Sequence, residues 1–171
     1  MSDMSGGPAL AVPQAADPSA DEWRGRCLNL FARGELAVLR TLEVGRESGL
    51  ISKIPHLAGQ RIAALQVMTG QLQLTEKQVL GLDNSIGEWQ RLEQRRLFLA
   101  HGVMRLAFEP RGKWVLLLDV RVHRAQRASD DRWTVTQEEA GAFHAELEAG
   151  YLALSQRLGL VRTGVGNPKP D

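Results

Sequence analysis

The chain has 171 residues, 43% of them hydrophobic and 24% charged, with a formal net charge of +1. That length can bury one sizeable core, and the near-balanced charge excludes a surface that binds polyanions over its whole extent. The lone Cys27 excludes an internal disulfide, and no Cys/His group has zinc-ligand spacing, so no metal and no cofactor are expected.

Residues 1–19 are rich in Pro, Gly, Ala and Ser without apolar periodicity, which predicts a disordered arm. The arm lacks the basic start and unbroken apolar run of a secretory signal. No window approaches the ~18 apolar residues that span a bilayer, so a cytoplasmic protein with no membrane association is expected. A single domain is expected over residues 20–160. Asp21 and Glu22 suit the positive end of a first helix, in which Trp23, Cys27, Leu30, Phe31, Leu36, Leu39 and Leu42 recur at helical spacing to about Arg46. Pro55 suits the first turn of a second helix, carrying Leu57, Ile62, Leu65 and Met68 before Gly70. Thr75 and Gln78 form a capping-box pair for a third helix, expected from Glu76 to about His101 with Gly81 and Gly87 as weak points inside it and Gly102 to end it.

Beyond Gly102 the residues are β-compatible, from Leu106 and Phe108 through the turn-like Glu109–Lys113 to the run Trp114–Val122, which predicts a β-hairpin at about 104–122. The polar stretch from Arg124 to Arg132 reads as a loop. Thr136 and Glu139 make a second capping box for a last helix whose stripe is Phe143, Leu147, Tyr151, Leu154 and Leu158. Residues 161–171 read as a loose tail. The expected fold is mainly α, an antiparallel four-helix bundle with a β-hairpin inserted between the third and fourth helices. The apolar run Trp114–Leu118 needs cover on both faces, from the bundle or from a second copy in a homodimer.

The chemistry-bearing segment is Leu92-Glu93-Gln94-Arg95-Arg96-Leu97-Phe98-Leu99-Ala100-His101-Gly102. On one straight helix Arg96 and Glu93 fall among Leu82, Ile86, Trp89, Leu97, Ala100 and Val103, while Arg95 points to water and His101 sits at the flank. A guanidinium on an apolar face needs a carboxylate or a bound anion. Glu93 is the nearest partner for Arg96, with Glu35 or Glu43 available from the first helix. An ion pair that fixes helix register is the structural explanation, and phosphate binding the functional one.

The string RRLFLAHG resembles the Arg-x4-His signature of the HEPN superfamily, in which an Arg and a polar residue precede a His followed by Gly near the end of a bundle helix. The resemblance implies a metal-independent endoribonuclease, a toxin or defence component, in which two copies of the motif meet across a homodimer. Arg96 would hold the scissile phosphate and His101 would transfer protons, with Glu93 and Arg95 in support. The sequence departs from the family at Leu97, where members carry a polar residue. The alternative is a catalytically silent HEPN-like module that binds RNA, a nucleotide or a protein partner such as an antitoxin. A helical adaptor whose hairpin extends a partner's sheet is a third possibility.

The basic middle of the chain adds Arg105, Arg121, His123 and Arg124 as candidate RNA contacts. His144 and Glu148 have metal-compatible spacing but no third ligand, and His56 needs only a surface role.

Overall fold

A computed structural model describes residues 18–110, 112–124 and 127–165. The expected arm at 1–19 falls almost wholly outside these residues, as does the chain after Val165. The elements in chain order are α1 (Ala20–Glu47), α2 (Ala58–Thr69), α3 (Glu76–Glu93), α4 (Arg96–His101), β1 (Val103–Phe108), β2 (Trp114–Arg124), β3 (Arg127–Thr136) and α5 (Gln137–Gly164).

The three strands form one antiparallel sheet in the order β1-β2-β3. This corrects the expected fold: the chain is not a four-helix bundle with an inserted hairpin, because the stretch read as a loop supplies a third strand. β3 pairs with β2 along its length, with Leu116 opposite Val135, Leu118 opposite Trp133 and Asp119 opposite Arg132. Its sequence RASDDRWTVT hides the period-2 signal, since its first half is polar on both faces and only Trp133 and Val135 turn to the helices. In β2 the alternation is plain: Trp114, Leu116, Leu118 and Val120 are buried, while Val115, Leu117 and Asp119 are half-buried on the other face.

The helices form where capping and periodicity coincide. Ser19 caps α1 by accepting from the Glu22 amide, and both expected capping boxes are present, Thr75 with Gln78 and Thr136 with Glu139. α2 starts at Ala58, three residues beyond Pro55, and has no side-chain cap. The segment before it is held by Arg61, which donates to the carbonyls of Pro55 and His56 at 2.9 Å each. α5 runs past the expected tail boundary to Gly164, with Val161 and Val165 buried.

α1 packs along α5, and α3 along α5. The core combines Phe31, Leu42, Leu65, Met68, Ile86, Trp89, Leu92, Leu147, Leu154 and Leu158 of the helices with Leu116, Leu118 and Val135 of the sheet. Trp23 joins the two layers. Its ring contacts Trp114, Trp133 and Phe143, and its indole donates to the Ala140 carbonyl at 2.7 Å. No helix among the described residues is long and apolar enough to cross a membrane.

Candidate functional site

The helix expected to be continuous from Glu76 to His101 is broken after Glu93. Gln94 and Arg95 keep right-handed dihedrals, but the Arg95 amide donates to the Leu92 carbonyl three residues back, at 3.0 Å, and tightens the turn. The side that is buried changes as well. Leu82, Ile86 and Trp89 carry the core face of α3, whereas Leu92 and Leu99, both 0% exposed, carry it across the break. On a regular helix these two lines lie roughly 90° apart. The change follows from the neighbours, since α3 packs on α5 whereas α4 packs on α1 and β2.

That rotation sets the site. Leu97, expected in the core, is exposed, and so is Val103. Glu93, Arg96, Leu97, Ala100 and His101 line one solvent-open groove of about 290 Å³, closed on its far side by Ala58 at the start of α2. The two residues of the Arg-x4-His element therefore share a surface, although they sit well apart around the helix. Gly102 ends α4: its amide donates to the Phe98 carbonyl at 2.9 Å, and a Cβ there would run into that same carbonyl.

Arg96 forms an ion pair with Glu35 of α1; its side chain is 39% exposed and that of Glu35 is 24%. The partner across the bundle is therefore Glu35, not Glu93. Burial pushes the Glu93 carboxyl above its ordinary value, the nearby Glu35 charge adds to this, and Arg96 and the Trp89 indole oppose it. His101 is exposed and has no hydrogen-bond or ion-pair partner among the described residues. The groove thus offers a guanidinium held in place, a half-buried carboxyl that keeps its proton more readily than usual, and an unengaged imidazole.

The other expected residues are dispersed. Arg95 points away from Arg96: its guanidinium lies 5.0 Å from the centre of the Trp133 ring, in a separate cleft with Arg91, Phe143 and Glu146. Arg105 pairs with Asp119 at 2.5 Å, and Arg121 stands 4.0 Å from Asp130. Asp119 also binds Arg132 at 2.5 Å, and hydrogen bonds from Arg132 and Arg105 hold its carboxyl below the ordinary range. Asp119 thus ties the central strand to both neighbours and engages Arg105, one of the expected RNA contacts. His123 and Arg124 belong to the β2–β3 ladder by their backbones; their side chains lie outside the described residues.

Among the described residues no group of His, Cys, Asp and Glu side chains is placed to hold a metal ion. No protein-family model, curated protein or solved structure matches the chain.

Proposed function

We propose that the protein is a HEPN-like, metal-independent endoribonuclease acting as a homodimer, with the Arg96–His101 groove as its site. The single observation behind this reading is that Arg96 and His101 open onto one groove with the His101 imidazole unengaged. In this mechanism the ribose 2′-hydroxyl attacks the adjacent phosphorus while His101 removes its proton. Arg96 steadies the charge on the phosphorane, and the 5′-oxygen leaves with a proton from the second copy's imidazole or from Glu93. The products are a 2′,3′-cyclic phosphate and a 5′-hydroxyl. Glu35 orients the Arg96 guanidinium and leaves its remaining donors for phosphate.

The test is incubation of the wild-type and His101→Ala proteins with total RNA in EDTA, followed by analysis of fragment ends. Cleavage by wild type alone, leaving cyclic phosphate ends, is the expected result. A second reading, the silent binding module, is favoured by the Glu35 charge already set against Arg96 and by Leu97 in place of a polar residue. Binding of RNA without cleavage, at concentrations where the dimer forms, replaces the first reading with the second.

A further inference from the structure

A second surface, on the opposite side of α1, is built differently. Arg33, Leu36, Ala37 and Arg40 follow one another at helical spacing on α1, and on α5 Tyr151, Ser155 and Arg162 do the same. Together they line a groove of about 300 Å³ between the two helices. On a regular helix this face of α1 lies roughly 100–200° around from Glu35, so it is distinct from the Arg96–His101 groove.

Three arginines line it, with no carboxylate among the lining residues. Elsewhere Arg26, Arg91, Arg96, Arg105 and Arg132 each face an acidic side chain within ion-pair distance. Arg33, Arg40 and Arg162 have no such partner among the described residues, although Glu43 lies one turn from Arg40 on α1 and Glu148 one turn from Tyr151 on α5. The central carbon of the Arg33 guanidinium sits over the Tyr151 ring, 4.5 Å from its centre, a contact that positions the group without neutralising it. Arg162 is half-buried and donates to the fully buried Thr41 hydroxyl at 2.9 Å, a neutral partner for a charge that cannot be lost by deprotonation. Two of the three are thus held in position by groups that leave their charge unspent. The Ser155 hydroxyl supplies a further donor in the same groove, and Leu36, 43% exposed, gives it an apolar flank.

We infer that the α1–α5 groove is a phosphate-ester binding site, in which Arg40 and Arg162 grip the phosphate oxygens and Arg33 on Tyr151 holds the adjoining part of the ligand. Planar guanidinium forks bind phosphate bidentately, and three of them facing a groove without competing carboxylates form a site selective for that group. The phosphate can belong to a free nucleotide or to an RNA strand. The inference is independent of RNA cleavage at Arg96 and His101.

The test is binding of ATP, by calorimetry, and of a short fluorescein-labelled single-stranded 2′-O-methyl RNA, which lacks the attacking 2′-hydroxyl and stays intact, by anisotropy, to the full chain. The variants are Arg40→Gln, Arg162→Gln and, as a control, Arg46→Gln on an exposed turn of α1. Circular dichroism confirms that each is folded, and the exposed Arg40 keeps the test valid if Arg162→Gln unfolds. Wild type is expected to bind at least one probe, with a loss of about tenfold in R40Q and a change within about twofold in R46Q. Tight ATP binding identifies a free nucleotide as the source; binding of RNA alone identifies a strand. Repeating R40Q in an Arg96→Ala background separates the two grooves, because the same tenfold loss is expected there. Binding of neither probe, unchanged affinity in R40Q, or an equal loss in R46Q overturns the proposal.

Discussion

At the scale of single residues, burial decides what each group can do. Cys27 is 0% exposed, and burial pushes its thiol up to about 12. Thiolate is the reactive form, so Cys27 in the native protein is expected to resist a disulfide-exchange reagent and to react fully only after denaturation in guanidinium. Rapid native labelling would contradict its place in the core. Glu93 shows the opposite side of the same physics. Its carboxyl is raised by burial, so the folded chain holds that proton to higher pH than the unfolded chain does. Folding therefore takes up a proton between the ordinary carboxylate value and the raised one; stability falls as pH rises through that window and stays lower above it. The stability gained by Glu93→Gln should accordingly grow from acid to neutral pH in urea titrations, and a gain that is constant or shrinking would refute this. Some of this was legible in sequence: Arg96 needed a carboxylate, and Glu35 was one of three named. The choice among them was not legible, because it depends on where α1 crosses the break in the third helix.

At the scale of elements, caps and close approaches do most of the positioning. Both capping boxes could be read because their chemistry is local, a hydroxyl and a carboxyl or amide three residues apart. The break after Glu93 could not, since Gln94 and Arg95 are ordinary helix formers and the cause is a change of packing partner. One trace of it was present: Leu92 and Leu99 share a face that Leu82 and Ile86 do not. β3 was missed because its polar first half faces water or the strand end. α1 itself offers a paired test of packing. A Cβ at Gly34 would collide with the Trp89 indole, which is already wedged edge-on against Phe31, whereas a Cβ at Gly25 would meet nothing within 4 Å. Gly34→Ala is expected to cost about 1–3 kcal/mol. Gly25→Ala should instead add up to about 1 kcal/mol by restricting the unfolded chain and favouring helix. Urea midpoints moving in opposite directions are the expected outcome.

At the scale of the whole molecule, one core spans the helices and the sheet. The mainly helical character and most of the buried stripes of α1 and α5 follow from periodicity, although Leu36, expected in the α1 stripe, is exposed and Val38 takes its place in the core; the three-stranded sheet depends on pairing across distant parts of the chain, which no local pattern encodes. Because Trp23 touches Trp114, Trp133 and Phe143, the two layers are expected to melt together. Helical ellipticity and tryptophan fluorescence should report one coincident thermal transition; two separated transitions would mean that sheet and helices are independent units.

The break after Glu93 also bears on how firmly the groove is held. It leaves one wall of the Arg96–His101 groove as a helix of six residues, with a single buried side chain, Leu99, and no side-chain cap at its start. A helix that short does not persist by its own hydrogen bonds. α4 is latched by Leu99 in the core and by Arg24, which donates to the Leu99 carbonyl at 2.6 Å. The alignment of Arg96 with His101 therefore rests on that latch and on the Arg96–Glu35 ion pair, and α4 is expected to open locally at a lower free energy than α1 and α5.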